Sequence, residues 1–162
     1  MMVLDFGAGT GLISGHVAPL VQKIIAVDIS ESMLEKLSEK EELRASVEIL
    51  CQDIVEQPSE YRVDTIVSAM ALHHVQDTEK ACTSFYSHLK SKGQLLLADL
   101  DSEDGSFHPP GIEGVFHDGF DREELRLKLQ VAGFHSIQFY TAYTVQKDEK
   151  EYPIFVLRAL KG

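Results

Sequence analysis

Met1-Met2-Val3-Leu4-Asp5-Phe6-Gly7-Ala8-Gly9-Thr10-Gly11 decides how this chain folds. The apolar run Met1 to Leu4 reads as a short buried strand. After the glycines, apolar residues at positions 13, 17, 20 and 21 fall on one face of a helix. Asp5 to Gly11 therefore forms a strand-to-helix turn. Glycine suits such a turn because it adopts backbone angles other residues resist, and because it lets a ligand approach the main chain. Unpaired amides at the helix start face the same spot. The expectation to test against the remaining residues is a nucleotide-type cofactor site.

Size and composition limit the alternatives. The chain has 162 residues, enough for one domain (1–162) with a substantial core. Its 44% hydrophobic and 25% charged content is that of a soluble globular protein. A net charge of -11, with no basic block, disfavours nucleic acid as a partner. Cys51 and Cys82 lie far apart without C-x-x-C spacing and in apolar surroundings, so buried, reduced thiols and a cytoplasmic location are expected. No apolar run is long enough for a membrane span or a signal peptide, and no metal is called for.

Strands and helices alternate downstream. Ile24 to Asp28 is a second buried strand ending in an acid. Ser30 caps a helix with Met33, Leu34 and Leu37 inward, and Lys40 to Arg44 is a polar connection. Val47 to Asp53 and Val63 to Met70 are strands three and four. Asp77 caps a helix through Cys82, Phe85 and Leu89 that Gly93 stops, and Gln94 to Leu100 is the fifth strand. Residues 101–120, rich in Gly and Pro, form a long loop on the active-site side. Asp121 and Glu124 have capping-box spacing and open a helix through Leu125, Leu129 and Val131 to Gly133. Ser136 to Val145 and Pro153 to Leu160 form a terminal hairpin. The expected fold is α/β: a Rossmann-like, doubly wound, mostly parallel seven-stranded sheet with an antiparallel last strand in a C-terminal hairpin. The stripes Leu12, Ile13, Val17 and Leu125, Leu129 read as core.

Two cofactor classes compete for the glycine turn. A dinucleotide needs G-x-G-x-x-G, but Leu12 stands where the third glycine belongs. Both classes need an acid after the second strand for the ribose hydroxyls. Asp28, 21 residues beyond Gly7, suits either.

Asp5-x-Gly7-x-Gly9-x-Gly11, Val27-Asp28-Ile29-Ser30, Gln52-Asp53-Ile54, the fourth-strand segment and the terminal hairpin together resemble the class I S-adenosylmethionine-dependent methyltransferases. Phe120 to Leu125 and Ala132-Gly133-Phe134 are similar to a segment of that family's small-molecule, ubiquinone-type branch. The resemblance implies S-adenosylmethionine as cofactor and S-adenosylhomocysteine as product. It places the cofactor's amino-acid end on the backbone of Gly7, Ala8, Gly9 and Gly11, with Asp5 holding the ammonium through water. It makes Asp28 the ribose ligand, sets Ile29 and Met33 on the adenine, gives Asp53 and Ile54 its polar edge, and puts Ala69 and Met70 beside the sulfonium.

Methyl transfer from a sulfonium is a direct displacement, so the protein mainly aligns and desolvates. A base is needed only for a protonated acceptor such as a hydroxyl. His73 and His74, after strand four, and His117, in the long loop, are the candidates. Each site residue has a plainer reading: glycines as turn residues, Asp53 as a cap, Asp5 as a partner of local amides, the histidines as packing. The Asn/Asp-Pro-Pro-Tyr/Phe signature is absent after strand four, which points away from DNA adenine and glutamine and toward small molecules, including quinone-type rings. Family members usually carry a helix before the glycine motif. A chain that starts at the motif is expected to be either a fragment or shortened form, with a more open pocket and weaker cofactor binding, or one whose open side a second copy or a partner covers. The alternative functions are a catalytically inactive binding subunit with this fold and, disfavoured by Leu12, a nicotinamide-dependent oxidoreductase.

Overall fold

A computed structural model describes residues 1–162. Seven strands form one sheet: β1 (Met2–Phe6), β2 (Lys23–Asp28), β3 (Val47–Cys51), β4 (Val63–Ala69), β5 (Leu89–Leu100), β6 (His135–Lys147) and β7 (Lys150–Leu160). Their order is β3-β2-β1-β4-β5-β7-β6. β1 to β5 run parallel to one another, and β7 is antiparallel to both β5 and β6. The expected α/β architecture with its reversed last strand is the one found. The strand order reverses between β1 and β4, and ligands of open α/β sheets sit at the carboxyl ends of the strands at such a point.

Four helices connect the strands: α1 (Leu12–Val17), α2 (Glu31–Ser38), α3 (Thr78–His88) and α4 (Arg122–Ala132). The expected caps are present. The Ser30 side chain accepts from the Met33 N–H, Asp77 from that of Lys80, and Asp121 from those of Glu123 and Glu124. Gly133 closes α4 at φ 116°. On one sheet face α2 buries Leu34 and Leu37 against Ala8 and Ala26. On the other, Phe85 of α3 and Leu125 and Leu129 of α4 pack with Leu95, Leu97, Phe155 and Leu157. Ile13, Val67, Ala69, Leu96, Ala98 and Val156 line a shallow apolar hollow of about 200 Å³ on the α1 side.

Several local expectations give way to packing. The helix expected through Val21 stops at Val17, and Pro19 sits in a 3-10 turn, Ala18–Leu20. Its inward residue is Ser14, while Leu12 and Leu20 are exposed. Gly93 does not end α3, which stops at His88. Lys92 makes the bend at φ 64°, and Gly93 lies in β5, where a Cβ would stand 2.9 Å from the Asp64 and Lys90 carbonyl oxygens. Leu43, expected in a polar connection, is buried by the 3-10 turn Glu41–Leu43. Val131 faces solvent. Cys51 is exposed rather than buried, because β3 is the edge strand; Cys82 is buried as expected.

Candidate active site

The glycine turn is fastened to the end of β2. The Gly7 and Ala8 N–H groups both donate to the Val27 carbonyl at 2.9 Å. Gly9 donates to Asp28 Oδ2 at 2.8 Å, and Ser30 donates to Asp28 Oδ1 at 2.9 Å. Val27 and Asp28 thus take the amides of Gly7, Ala8 and Gly9. The three glycines also differ in why they are glycines, although all have positive φ. A Cβ on Gly7 would lie 2.4 Å from the Ala71 Cβ, and one on Gly11 would lie 2.8 Å from Leu37 Cγ. A Cβ on Gly9 would meet only Met33 Sδ, at 3.6 Å. Two glycines serve close packing, and Gly9 alone opens toward free space.

That space is a cavity of about 1350 Å³ along the carboxyl ends of β1, β2 and β4. Gly7, Gly9, Asp28, Ile29, Met33 and Asp53 line one part of it. Met70, His74 and His117 line another, joined by Gly114, Phe116, Gln76, Thr78 and Lys128, which sequence reasoning did not single out. Asp53 also holds its own turn, since its Oδ1 accepts from the Val55 and Glu56 N–H groups at 3.1 and 3.3 Å. Cap and cavity wall are the same side chain. The cavity exceeds the few hundred cubic ångströms that one small ligand fills, leaving room for a second molecule beside it.

The remaining expected site residues lie outside this wall. Asp5 is 1% exposed and accepts a hydrogen bond from Ser14 Oγ at 2.7 Å. Burial pushes its carboxyl up to about 6; the bonds from Ser14 pull the other way, and the nearby Asp28 charge adds to the rise. Ala8 and Gly11 pack beneath the turn. Ile54 is a core side chain whose N–H bonds no acceptor in the chain. Ala69 faces the apolar hollow on the α1 side.

His73 does not line the cavity either. It is 2% exposed, and its Nδ1 lies 2.8 Å from Asp99 Oδ1. Asp99 is wholly buried and also accepts from the His73 and Leu100 backbone N–H groups, at 3.0 and 2.7 Å. Two backbone amides and the His73 ring therefore converge on this one side chain. The His108 ring sits 5.0 Å from that of His73, with its Nδ1 buried and unpartnered. Burial, followed by the His73 and His74 charges, holds the His108 imidazole below its ordinary range.

Two other histidines tie the long loop to the segment after β4. His74 Nδ1 pairs with the Gly114 carbonyl and His117 Nε2 with the Val75 carbonyl, both at 2.8 Å. The Phe116 N–H donates to the His73 carbonyl at 3.0 Å. Because a carbonyl only accepts, the bonded ring nitrogen of His74 and of His117 carries a hydrogen. Lys128 Nζ donates to Thr78 Oγ1 at 2.7 Å. No group of His, Cys, Asp and Glu is arranged to hold a metal ion. No helix is long and apolar enough to cross a membrane.

A family model described as a methyltransferase domain matches residues 3–93, which hold the glycine turn, Asp28, Asp53 and both His73 and His74. The chain is 34% identical over 135 residues to an uncharacterized methyltransferase of Schizosaccharomyces pombe, covering 74% of this chain and 48% of the relative. It is 30% identical over 131 residues to an uncharacterized methyltransferase of Bacillus velezensis, covering 79% and 61%. The chain thus spans about half to three-fifths of the length of these relatives. Its fold is similar to that of the YcgJ protein of Bacillus subtilis, with a TM-score of 0.81 at 18% identity over 99% of this chain and 91% of that one.

Proposed function

This chain belongs to the class I S-adenosylmethionine-dependent methyltransferases, and we propose that it moves a methyl group onto a small-molecule acceptor by direct displacement. The observation that carries this reading is the single cavity joining the Gly9–Asp28 corner to the His74, Phe116 and His117 wall. One end fits the cofactor, and the other leaves room beside it for a small acceptor.

The residues present fit S-adenosylmethionine. Its ammonium would donate to the Gly7 carbonyl, which meets no donor in the chain. Asp5 would act behind it through water, and Ala8 and Gly11 would hold the turn's shape. Asp28, at the cavity wall, would accept both ribose hydroxyls on lone pairs its bonds to Gly9 and Ser30 leave over. Ile29, 74% exposed, and Met33 would cover the adenine, where a flat ring would bury them. Asp53 would accept the exocyclic amine, and the unbonded Ile54 N–H would donate to the ring. Met70, with Ala69 behind it, would border the sulfonium.

The bound cofactor supplies an electrophilic methyl and its own leaving group. The protein's share is alignment, exclusion of water and, for a protonated acceptor, removal of a proton. His74 and His117, on the cavity wall, and His73, buried behind them, are our candidates for the last task. Two unpaired cysteines fit a cytoplasmic location.

Thermal shift with S-adenosylhomocysteine against NADH tests the cofactor, since a ligand of the native state raises the melting midpoint. Tritium transfer from labelled S-adenosylmethionine into a small-molecule extract tests the activity. A midpoint raised only by NADH overturns the first part. Cofactor binding without any transfer leaves a binding subunit in place of an enzyme.

A further inference from the structure

The cavity wall carries five carboxylates and one ammonium, and four of the carboxylates are already engaged. Asp28 accepts from Gly9 and Ser30, and Asp53 from Val55 and Glu56. Asp77 caps α3 by accepting the Lys80 N–H at 3.0 Å, and Glu56 takes the Lys80 ammonium at 2.6 Å. The Glu79 side chain alone has no partner, and it makes no ion pair with Lys128.

Lys128 stands apart from this network. Its Nζ donates to Thr78 Oγ1 at 2.7 Å, and that neutral hydroxyl is its one polar partner in the chain. An ammonium has three hydrogens to give, so two remain. Thr78 is 3% exposed, and having accepted from the lysine it keeps its own hydroxyl hydrogen, which no group of the chain accepts. Donors without acceptors thus sit on two atoms 2.7 Å apart, and both residues line the cavity. Gln76, on the same wall, leaves its side-chain amide unbonded as well. Thr78 also opens α3, whose first amides have no partner inside the helix, and the Asp77 side chain serves only that of Lys80. An oxyanion is the ligand this donor set fits. It accepts from ammonium, hydroxyl and amide together, and it supplies the charge that Lys128 lacks opposite it. The chain places this point beside the acceptor wall: His74 and Val75 directly precede Gln76, and His117 Nε2 pairs with the Val75 carbonyl at 2.8 Å.

We propose that the methyl acceptor of this chain is an anion, its carboxylate or phosphate group held by Lys128 and Thr78 and the group to be methylated lying at the His74, Phe116 and His117 wall. This rests on the methyltransferase reading above and names the charge of its acceptor. The acidic wall makes the site selective. Away from Lys128 the carboxylates repel an anion, so only one orientation of the acceptor escapes that repulsion. The same carboxylates attract the cationic sulfonium, so cofactor and acceptor are drawn to different groups of one cavity by opposite charges.

The test is calorimetric titration of the protein loaded with S-adenosylhomocysteine, using benzoate, phenyl phosphate and the neutral benzamide as probes. One anion or both should bind about tenfold more tightly than benzamide, and the better of the two separates a carboxylate acceptor from a phosphate one. Lys128→Met weakens that anion by about tenfold, the scale of a charge-assisted hydrogen bond, and leaves benzamide within about twofold. Thr78→Val weakens it by about threefold, the scale of a neutral hydrogen bond, and Lys128→Arg keeps most of the affinity. S-adenosylhomocysteine affinity within about twofold of wild type shows that Lys128→Met is folded and that its cofactor end is intact. Benzamide binding as tightly as the anions, no binding of any probe, or an anion affinity unchanged in Lys128→Met each overturn it. A loss of S-adenosylhomocysteine affinity in Lys128→Met that matches the loss of anion affinity also overturns it, because the ammonium would then hold the cofactor's carboxylate. Failure of the wild type to bind S-adenosylhomocysteine overturns the methyltransferase reading, and the anionic acceptor with it.

Discussion

Asp28 Oδ2 accepts the Gly9 N–H at 2.8 Å, so the carboxylate that ends β2 also sets the shape of the turn that ends β1. Its other oxygen takes the Ser30 N–H at 2.9 Å and sets the entry to α2. The ribose ligand we propose and the scaffold of the glycine turn are one side chain. Asp28→Ala then has two effects: S-adenosylhomocysteine affinity falls by about 100-fold through two lost charge-assisted bonds, and stability falls by about 2 kcal/mol. Titration calorimetry and urea unfolding separate them. Unchanged affinity would mean that another group holds the ribose.

The glycines of the same turn separate in the same way. Gly9→Ala places a methyl toward the cavity at φ 56°, with only Met33 Sδ near it. The left-handed conformation costs about 1–2 kcal/mol, so the variant folds and loses S-adenosylhomocysteine binding. Gly7→Ala carries the same backbone cost plus a 2.4 Å approach to Ala71, and overpacking adds about 1–3 kcal/mol. Melting curves should show Gly7→Ala well below Gly9→Ala. The reverse order would contradict the packing role assigned to Gly7.

Asp5 makes stability depend on pH in an unusual direction for a carboxyl. Its folded value is raised from 3.8 to about 6, with burial as the main cause. The folded chain thus holds this proton more tightly than the unfolded chain does. The stabilising contribution is complete below about pH 3.8 and is lost as pH rises through about 6. The displacement corresponds to roughly 3 kcal/mol. Asp5→Asn keeps an acceptor for Ser14 Oγ and removes the ionisation. Urea unfolding between pH 4 and 7 should show wild type losing stability relative to this variant. Parallel curves would place the titration elsewhere.

How far the residues announce all this depends on the range of each interaction. Caps are local, and Ser30, Asp77, Asp121 and Gly133 are readable because a side chain or a left-handed glycine serves amides or carbonyls within a few residues. Asp28 and Asp53 are readable because an acid at a strand end has a position in the alternation. Asp99 is not, since it looks like one more polar residue at the end of β5 until the fold brings it to His73, 26 positions earlier in the chain. His108 is hidden for the same reason within a loop that has no periodicity. The inward face of α1 misleads because Pro19 shortens the helix and Asp5 selects Ser14 as its partner.

Thiol chemistry follows the same contrast of edge and core. Cys51 is exposed on the edge strand β3, whereas Cys82 is buried and its thiol is pushed up to about 12 by that burial. A thiolate, not a thiol, attacks a disulfide reagent. In native buffer at pH 8, Ellman's reagent therefore titrates a single thiol promptly, and Cys51→Ser abolishes that signal. Both thiols react in urea. Prompt reaction of two thiols in the native wild type would contradict the placement of Cys82.

Lys128 gives the final prediction, because it is the one cationic Lys or Arg in a cavity wall that also holds Asp28, Asp53, Glu56, Asp77 and Glu79. Its ammonium is held by Thr78 Oγ1, a neutral partner, so its charge is not cancelled by a carboxylate in direct contact. The field in the cavity is negative, and S-adenosylmethionine carries one positive charge more than S-adenosylhomocysteine. Low ionic strength should therefore favour the sulfonium ligand, and added salt should narrow its advantage as exposed charges are screened. Lys128→Met removes the opposing charge and should widen the preference by about two- to fivefold, the scale of an interaction near 1 kcal/mol between groups a few ångströms apart in a hydrated site. Calorimetric titration of both ligands at two salt concentrations measures this directly. A preference that narrows in Lys128→Met would mean that the lysine holds the cofactor's carboxylate instead of opposing its sulfonium.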